Sequence, residues 1–225
     1  MASEVDICNL ALSHIGDSAT VSSINPPEGS AQAEHCARFY PIARDTLLEL
    51  HSWSFATKRT VLSQLTSSWS EWDYCYAKPS DLVNTLAILP PDSTDDNIVG
   101  INIAYQSAYP YPDMPGTIPV NVPREYSCEI LDDGTEVIYT DQEDAVLRYT
   151  ATIKDTTKFS PLFVITLSAH LASMIAGPII KGDAGAAESK RCVQLMAAYL
   201  AQAKASDANE GSTKPQHIPG WIARR

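Results

Sequence analysis

Residues 30–65, SAQAEHCARFYPIARDTLLELHSWSFATKRTVLSQL, decide the fold class, because a helical pattern gives way there to a strand pattern. Ser30 is a favourable N-cap, and a helix is predicted from about Ser30 to Leu50. Its apolar stripe consists of Cys36, Tyr40, Ala43, Leu47 and Leu50. Pro41 removes one backbone donor, so this helix is expected to kink there or to restart with Pro41 in its first turn. Aromatic and β-branched residues then predict a strand over Ser54–Leu65.

Three further helices are predicted near the two ends of the chain. They cover Ser3–Ile15, the segment from Ser160-Pro161 to a disruption at Gly177-Pro178, and the segment from Asp183, as its cap, to about Ser206. Ser3 and Asp6 have the spacing of a capping box, and Gly16 is placed to end the first helix in the left-handed conformation.

The centre of the chain is predicted to be antiparallel β structure. The expected strands are Trp72–Ala77, Leu82–Leu89, Ile98–Tyr105, Glu125–Leu131, Glu136–Thr140 and Ala145–Ile153, the last three forming a meander. Asp132-Asp133-Gly134 is a strong hairpin signal between the first two strands of that meander.

The order of elements predicts an α+β fold with three regions. Residues 1–52 and 160–208 form a helical bundle, and residues 53–159 form a β-rich region that includes a proline-rich loop at 107–123. Residues 209–225 form an extended C-terminal tail.

Charge is divided unevenly along the chain, whose net charge is −11. Residues 1–153 have 22 acidic and seven basic residues, whereas residues 154–225 have five acidic and nine basic residues. A chain this acidic is a poor candidate for a protein that binds nucleic acid by neutralising phosphates.

The motif search points to no enzyme and to no cofactor or metal. The chain has none of the glycine-rich phosphate loops, the HExxH zinc motif or the GxSxG nucleophile motif. Its five cysteines are odd in number and include no CxxC pair, so buried free thiols in a reducing cytoplasm are expected. The N-terminus has no signal-peptide pattern, and residues 161–180 are interpreted as a buried core helix, so no membrane partner is expected.

Two clusters leave an alternative open. The first is a set of acids in the expected meander: Glu125, Glu129, Asp132, Asp133, Glu136, Asp141, Glu143 and Asp144. Paired carboxylates could hydrolyse glycosides or hold calcium, but a solvated, charged sheet surface is favoured. The second cluster is aromatic, since Trp72, Tyr74 and Tyr76 share one strand face by alternation near Trp69. Packing in the core or a subunit interface is favoured there over stacking on a sugar.

Residues Ala11–Leu62 resemble the N-terminal part of bacteriophage head–tail connector proteins of the tail-tubular-protein-A type, found in short-tailed phages. The residues that carry the resemblance are Ala11-Leu12, Ile15-Gly16, Glu28-Gly29-Ser30, Cys36, Tyr40-Pro41, Arg44-Asp45, Leu47-Leu48, Trp53-Ser54-Phe55-Ala56 and Arg59. A later hairpin ending in Leu147–Tyr149, followed by two helices, extends it over about 200 residues, although only the first 60 are specific. These are packing and capping positions, so the resemblance concerns the fold and the role in assembly.

The resemblance implies a structural virion protein in the neck of the particle, assembled in the host cytoplasm. Copies of the chain would form a ring, usually a dodecamer, between the portal protein and the tail nozzle protein. Genomic DNA would pass through the ring without specific binding. A tail-completion ring of different symmetry is the alternative, and a glycan-binding or hydrolytic tail component is a further one.

Two sites follow as hypotheses. Members of the eight-acid cluster, or acids of the N-terminal region, are expected to line the channel or the nozzle-facing surface, because negative walls repel phosphates. The tail is expected to insert between portal subunits, with Trp221 in a pocket, through Lys214, Ile218, Trp221, Ile222, Arg224 and Arg225. The alternative for the tail is a disordered end without a partner. The loop at 107–123 is a weaker candidate for contact with the nozzle.

Overall fold

A computed structural model of the chain describes residues 2–66, 69–91 and 124–210. The helices are α1 (Glu4–His14), α2 (Ala31–Glu49), α3 (Pro161–Ile180) and α4 (Gly182–Asp207), with 3₁₀ turns at Ser54–Ala56 and Thr156–Lys158. The strands are β1 (Thr57–Val61), β2 (Gln64–Leu65), β3 (Tyr74–Ala77), β4 (Leu82–Leu89), β5 (Tyr126–Ile130), β6 (Glu136–Thr140) and β7 (Val146–Ala151). The predicted α+β class, with helices towards both ends, is therefore confirmed. The predicted strand at 98–105, the loop at 107–123 and residues 211–225 of the tail lie outside the described residues.

Local signals set both ends of α1, as predicted. The Ser3 hydroxyl accepts a hydrogen bond from the Asp6 amide at 3.1 Å, and the Asp6 carboxylate accepts one from the Ser3 amide at 2.9 Å. At the other end Gly16 has a φ of +75°, and its amide donates to the Ser13 carbonyl at 3.2 Å. The Asp17 amide donates to the Leu12 carbonyl at 3.0 Å, which completes a Schellman motif.

Helix α2 runs through Pro41 as one continuous element, so the expected restart at Pro41 is wrong. Its stripe is buried at Cys36, Tyr40, Ala43 and Leu47, but Leu50 is 47% exposed. Leu50 falls outside the stripe because the helix ends at Glu49, which leaves Leu50 at the C-cap.

Helix α3 is the centre of the helical bundle and contacts α1, α2 and α4. Gly177-Pro178 does not disrupt it, contrary to expectation, because a proline there removes only one hydrogen bond near the helix end. The helix continues to Ile180, and Lys181, with a φ of +61°, separates it from α4. The expected cap, Asp183, therefore lies in the first turn of α4 rather than before it.

The length and apolar composition of α3 are also those of a helix that could cross a membrane. An 18-residue window of it has a mean hydropathy of 1.8, and 61% of that window is buried inside the protein. The prediction of a buried core helix over residues 161–180 is confirmed by this packing.

The strands form two antiparallel sheets, in the orders β1-β7-β4 and β2-β3-β6-β5. The expected hairpin of β5 and β6 is present, with Cys128 opposite Ile138. The expected meander is wrong, because β7 pairs with β1 and β4 instead of β6. The chain changes sheet after β6, where the Ala145 carbonyl accepts a hydrogen bond from the Leu62 amide at 3.0 Å.

The strand predicted over Ser54–Leu65 is also interrupted, since it begins as a 3₁₀ turn and continues as β1 and β2. Trp53, which precedes that turn, is fully buried and donates from Nε1 to the Leu47 carbonyl at 2.7 Å. Its ring centroid lies 5.0 Å from that of Phe163 and 5.8 Å from that of Phe55. These aromatic contacts anchor the crossover from α2 to β1, which we define as residues 50–57.

One hydrophobic core joins the helices to both sheets. It extends from Leu12 and Leu47 through Trp53 to Ile138 and Leu147. A second, smaller cluster lies on the other face of the four-stranded sheet, around Cys75, Val137 and Tyr139. The division of the chain into a helical bundle, residues 1–52 and 160–208, and a β-rich region, residues 53–159, stays a prediction.

Candidate functional site

The candidate site is the acidic hairpin, which we define as residues 124–144 and which consists of β5, β6 and their flanking turns. All eight predicted acids of this hairpin are exposed. The register pairs Tyr126 with Thr140 and Ile130 with Glu136. The turn end therefore holds Glu129, Asp132, Asp133 and Glu136, and the open end holds Glu125, Asp141, Glu143 and Asp144. Five-residue strands separate the two ends by about 14 Å, so the acids form two groups rather than one.

Several of these carboxylates shape the hairpin locally. Asp133 accepts a hydrogen bond from the Thr135 amide at 2.8 Å, and this contact lowers the pKa of Asp133. Glu136 forms an ion pair of 2.6 Å with Lys78, which follows β3. Glu129 accepts a hydrogen bond from the Ser127 hydroxyl at 3.1 Å. These contacts stabilise the turn end while its carboxylates remain at the surface.

The open end contains an additional acid that the sequence did not indicate. Asp73 lies next to Asp141, whose carboxylate accepts a hydrogen bond from the Asp73 amide at 3.1 Å. Burial raises the pKa of Tyr74, and the nearby charges of Glu143, Asp73 and Asp144 raise it further. Pairing of β3 with β6 brings Asp73 there, and that pairing has no short-range signal in the sequence.

The aromatic residues before and in β3 do not form the single face expected of them. Tyr74 and Tyr76 do share a face, with ring centroids 6.3 Å apart. Tyr76 is only 1% exposed, and its hydroxyl donates to the Gln142 carbonyl at 2.8 Å. Trp72 packs against the smaller hydrophobic cluster of Cys75, Val137 and Tyr139, on the face opposite to Tyr74 and Tyr76. Alternation does not extend to Trp72, because β3 begins only at Tyr74.

Cysteine chemistry and metal binding find little support in the geometry. Four of the five free cysteines are buried as expected, but Cys128 on β5 is exposed. Cys8 and Cys36 interact between α1 and α2, and this contact together with burial raises the pKa of Cys8. Within residues 2–66, 69–91 and 124–210, no group of three or more His, Cys, Asp or Glu side chains is arranged to hold a metal ion.

The start of the tail is fixed beside the crossover. Asp207, the last residue of α4, is 9% exposed and accepts a hydrogen bond from the Ser54 amide at 3.0 Å. Its second oxygen lies 3.1 Å from Nε2 of His51. The six predicted portal-binding residues of the tail lie outside the described residues.

The residues that carry the connector resemblance have structural roles in loops, helices and the crossover. Glu28 accepts hydrogen bonds from the Ser22 amide at 2.9 Å and from the Ser30 hydroxyl at 3.0 Å, which organises the loop before α2. Arg44 forms an ion pair of 2.8 Å with Asp45. Together with Gly16 and Trp53, these residues shape α1, α2 and the crossover as one unit.

Comparison with known proteins adds no family to this description. A scan against protein-family models finds no match. A search of curated proteins likewise finds no relative of this chain. The resemblance to head–tail connectors therefore rests on residues 11–62, and the function that it implies is a proposal.

Proposed function

We propose that the chain is a structural virion protein without enzymatic activity, which forms the head–tail adaptor ring of a short-tailed phage. Its partners in this proposal are the portal protein, the tail nozzle protein and further copies of itself. The observation that carries the proposal is the set of connector-like residues between Ala11 and Leu62. In this fold they are capping, packing and crossover residues, which suits a protein that acts through its shape.

The acidic hairpin supports the part of the proposal that concerns DNA. Its eight exposed carboxylates form two negative groups along one two-stranded ribbon. A phosphate backbone is repelled by such a surface, and it gains no counterion release from it. A channel that conducts a genome requires this lack of adhesion.

The basic tail supports the part of the proposal that concerns the portal. It follows α4, whose last residue, Asp207, is held against the crossover and so gives the tail a defined origin. A segment with apolar anchors such as Trp221 and Ile222 can order when it binds a partner.

The test is in vitro assembly of virions of the encoding phage. Particles made without the chain are expected to be DNA-filled, tailless heads that the purified protein converts to infectious virions. A variant truncated after Gly211 should fold normally but fail to bind portal-capped heads. Virions that lack the chain, or normal assembly with the truncated variant, would refute the adaptor role or the tail insertion, respectively.

Charge reversal tests the channel surface separately from assembly. Substituting Asp132→Lys and Asp133→Lys places cations at the hairpin turn without touching the core. Slower DNA ejection from normally assembled particles is expected, with a matched Lys190→Glu, Lys204→Glu variant on α4 as the control. Unchanged ejection, together with a neck reconstruction in which all eight acids face outward, would remove this role. The same reconstruction counts the subunits and so separates an adaptor dodecamer from a tail-completion ring of different symmetry.

A further inference from the structure

A cavity of about 360 Å³ opens where the side of α2 meets the start of α1. Its lining includes Glu4, Ala37, Tyr40, Pro41, Arg44 and Lys154. The volume lies at the lower end of the range for small-ligand sites, about 300–1,000 Å³. The lining includes no described residue of the acidic hairpin or of the tail, and the adaptor role assigns no binding function to this cavity.

Tyr40 contributes a buried hydroxyl that has no hydrogen-bond partner among the described residues. The residue is only 2% exposed, and burial raises its pKa, so the hydroxyl is neutral. Leaving such a group unpaired costs about as much as a lost hydrogen bond, which makes an unfilled hydroxyl at a cavity wall unusual. Tyr40 is one of the residues that line the cavity, so this hydroxyl is an unpaired donor beside it.

Arg44 contributes a guanidinium whose donors are only partly used. Its side chain is 7% exposed, and Nε and Nη2 donate to the Asp45 carboxylate at 2.8 and 3.1 Å. A guanidinium has five N–H donors, so three remain after these two bonds. Asp45 pairs the charge, and no described residue accepts a hydrogen bond from Nη1, which leaves it as a donor for a ligand carboxylate.

The remaining lining residues favour a carboxylate on a peptide over a simple anion as the ligand of this cavity. Lys154 adds a second cation and has no ion pair within the described part of the chain. Glu4 is the acid of the lining, and the carbonyl of Ala37, another lining residue, lacks its usual helical donor because Pro41 has no N–H. The lining therefore includes both hydrogen-bond donors and acceptors. A ligand that pairs one carboxylate with neighbouring N–H groups fits this arrangement better than phosphate does.

We propose that this cavity is a binding site for an acidic side chain, glutamate or aspartate, presented by another polypeptide. Arg44 and the Tyr40 hydroxyl hold the carboxylate, Lys154 adds charge at the mouth, and Glu4 with the Ala37 carbonyl accepts N–H donors of the presenting backbone. The inference stands independently of the adaptor role, because it follows from the unused donors of the cavity alone.

The test is an NMR titration of the full chain with a capped glutamate, acetyl-Glu-amide, at constant ionic strength. Saturable amide shifts are expected at residues 37–40 and 42–44 and at Lys154. Acetyl-Gln-amide, which has the same size without the charge, should produce no saturable shift. Tyr40→Phe and Lys154→Gln should each weaken binding by about 3- to 10-fold, as expected for the loss of one charge-assisted contact.

Two controls separate binding from damage to the fold. Tyr40→Phe removes only an unpaired hydroxyl, so its melting temperature should not fall. Lys158→Gln removes an exposed cation four residues after Lys154, outside the cavity, and should bind like the parent chain. Equal shifts with acetyl-Gln-amide, unchanged affinity in both cavity variants, or tighter binding of inorganic phosphate would overturn the proposal.

Discussion

Replacement of Asp207 by alanine tests whether tertiary contacts or local helix energetics dominate the contribution of this residue to protein stability. Asp207 is a negative charge in the last turn of a helix, where the helix dipole disfavours it. Aspartate also has a lower helix propensity than alanine. Local energetics therefore predict that Asp207→Ala stabilises the protein, whereas the contacts with Ser54 and His51 predict the opposite.

The magnitudes favour the tertiary contacts. The carboxylate accepts from the Ser54 amide and from His51, at 3.0 and 3.1 Å. A hydrogen bond to a charged group contributes about 1.5–3 kcal/mol, and we take the lower value for each because Ser54 is exposed and the His51 side chain is 25% exposed. The loss of about 3 kcal/mol is offset by about 1 kcal/mol from propensity and dipole. Asp207→Ala should thus destabilise the protein by about 2 kcal/mol, which lowers the melting temperature by about 4–8 °C at this chain length.

Urea and thermal unfolding monitored by circular dichroism measure this difference. Ser206→Ala, at the exposed neighbouring position, is the matched control and should change the free energy of unfolding by no more than about 0.5 kcal/mol. Asp207→Asn keeps an acceptor for the Ser54 amide, so it should show an intermediate loss. A stabilised Asp207→Ala variant would refute the reasoning, since only the local terms would then remain.

Four further substitutions test the packing of the fold by the same unfolding measurements. Gly185→Ala should destabilise by about 1–2 kcal/mol, since its Cβ would lie 3.1 Å from a backbone oxygen of α3, whereas Gly177→Ala meets no atom within 4 Å and should stabilise by about 0.5–1 kcal/mol. Asp81 has a pKa lowered by its contact with Lys58, so its contribution is present above the unfolded pKa and is lost as the pH falls through the folded pKa. Asp81→Asn should therefore cost about 1 kcal/mol at pH 7 and progressively less below about pH 4, and a gap that is constant with pH would contradict this. Trp53→Phe should cost about 2–3 kcal/mol, through the lost hydrogen bond to α2 and the space left beside Phe163, and a loss below about 1 kcal/mol would contradict the anchoring role.

The starts of α1, α2 and α3 were predictable because capping by serine is a contact within four residues. Ser3, Ser30 and Ser160 each accept a hydrogen bond from the amide three positions later. The end of α3 was not predictable from Gly177-Pro178. A single missing donor near a helix end costs little when the same turn packs against α4, and that packing cannot be read from a dipeptide.

Sheet pairing was the part of the fold that local patterns could not determine. The β5–β6 hairpin followed from Asp132-Asp133-Gly134, because the turn itself fixes that pairing. The five residues between β6 and β7 form an equally short connection, yet β7 pairs with β1 and β4. Burial of Leu147 and Tyr149 against the helical core decides this, and it depends on residues far away in sequence.

The same distinction applies to the candidate sites. The exposed acids were found from composition, because charge at hairpin turns is a local property. The cavity beside α2 was not found, because Lys154 reaches it from the end of β7 and Glu4 from the start of α1. One signal was present in the sequence, since Arg44 follows Tyr40 by four residues on the stripe that was predicted to be buried. A charged side chain on an apolar helix face indicates a partner or a ligand. Here Asp45 pairs with Arg44 but uses only some of the hydrogen-bond donors of its guanidinium.

Asp207, at the end of α4, connects the segment that resembles head–tail connectors to the tail that is proposed to bind the portal. Asp207 fixes the end of α4 to the crossover, and the crossover is part of the segment that resembles head–tail connectors. Truncation after Gly211 removes no described contact of the core, so it should leave the unfolding free energy unchanged while it abolishes binding to portal-capped heads. Asp207→Ala should lower the free energy of unfolding, because it releases the end of α4 from the crossover. It should retain part of the binding to portal-capped heads, because every tail residue is still present. If both variants lost stability equally, the tail would be part of the folded core, and its proposed role as a separate portal-binding segment would fail.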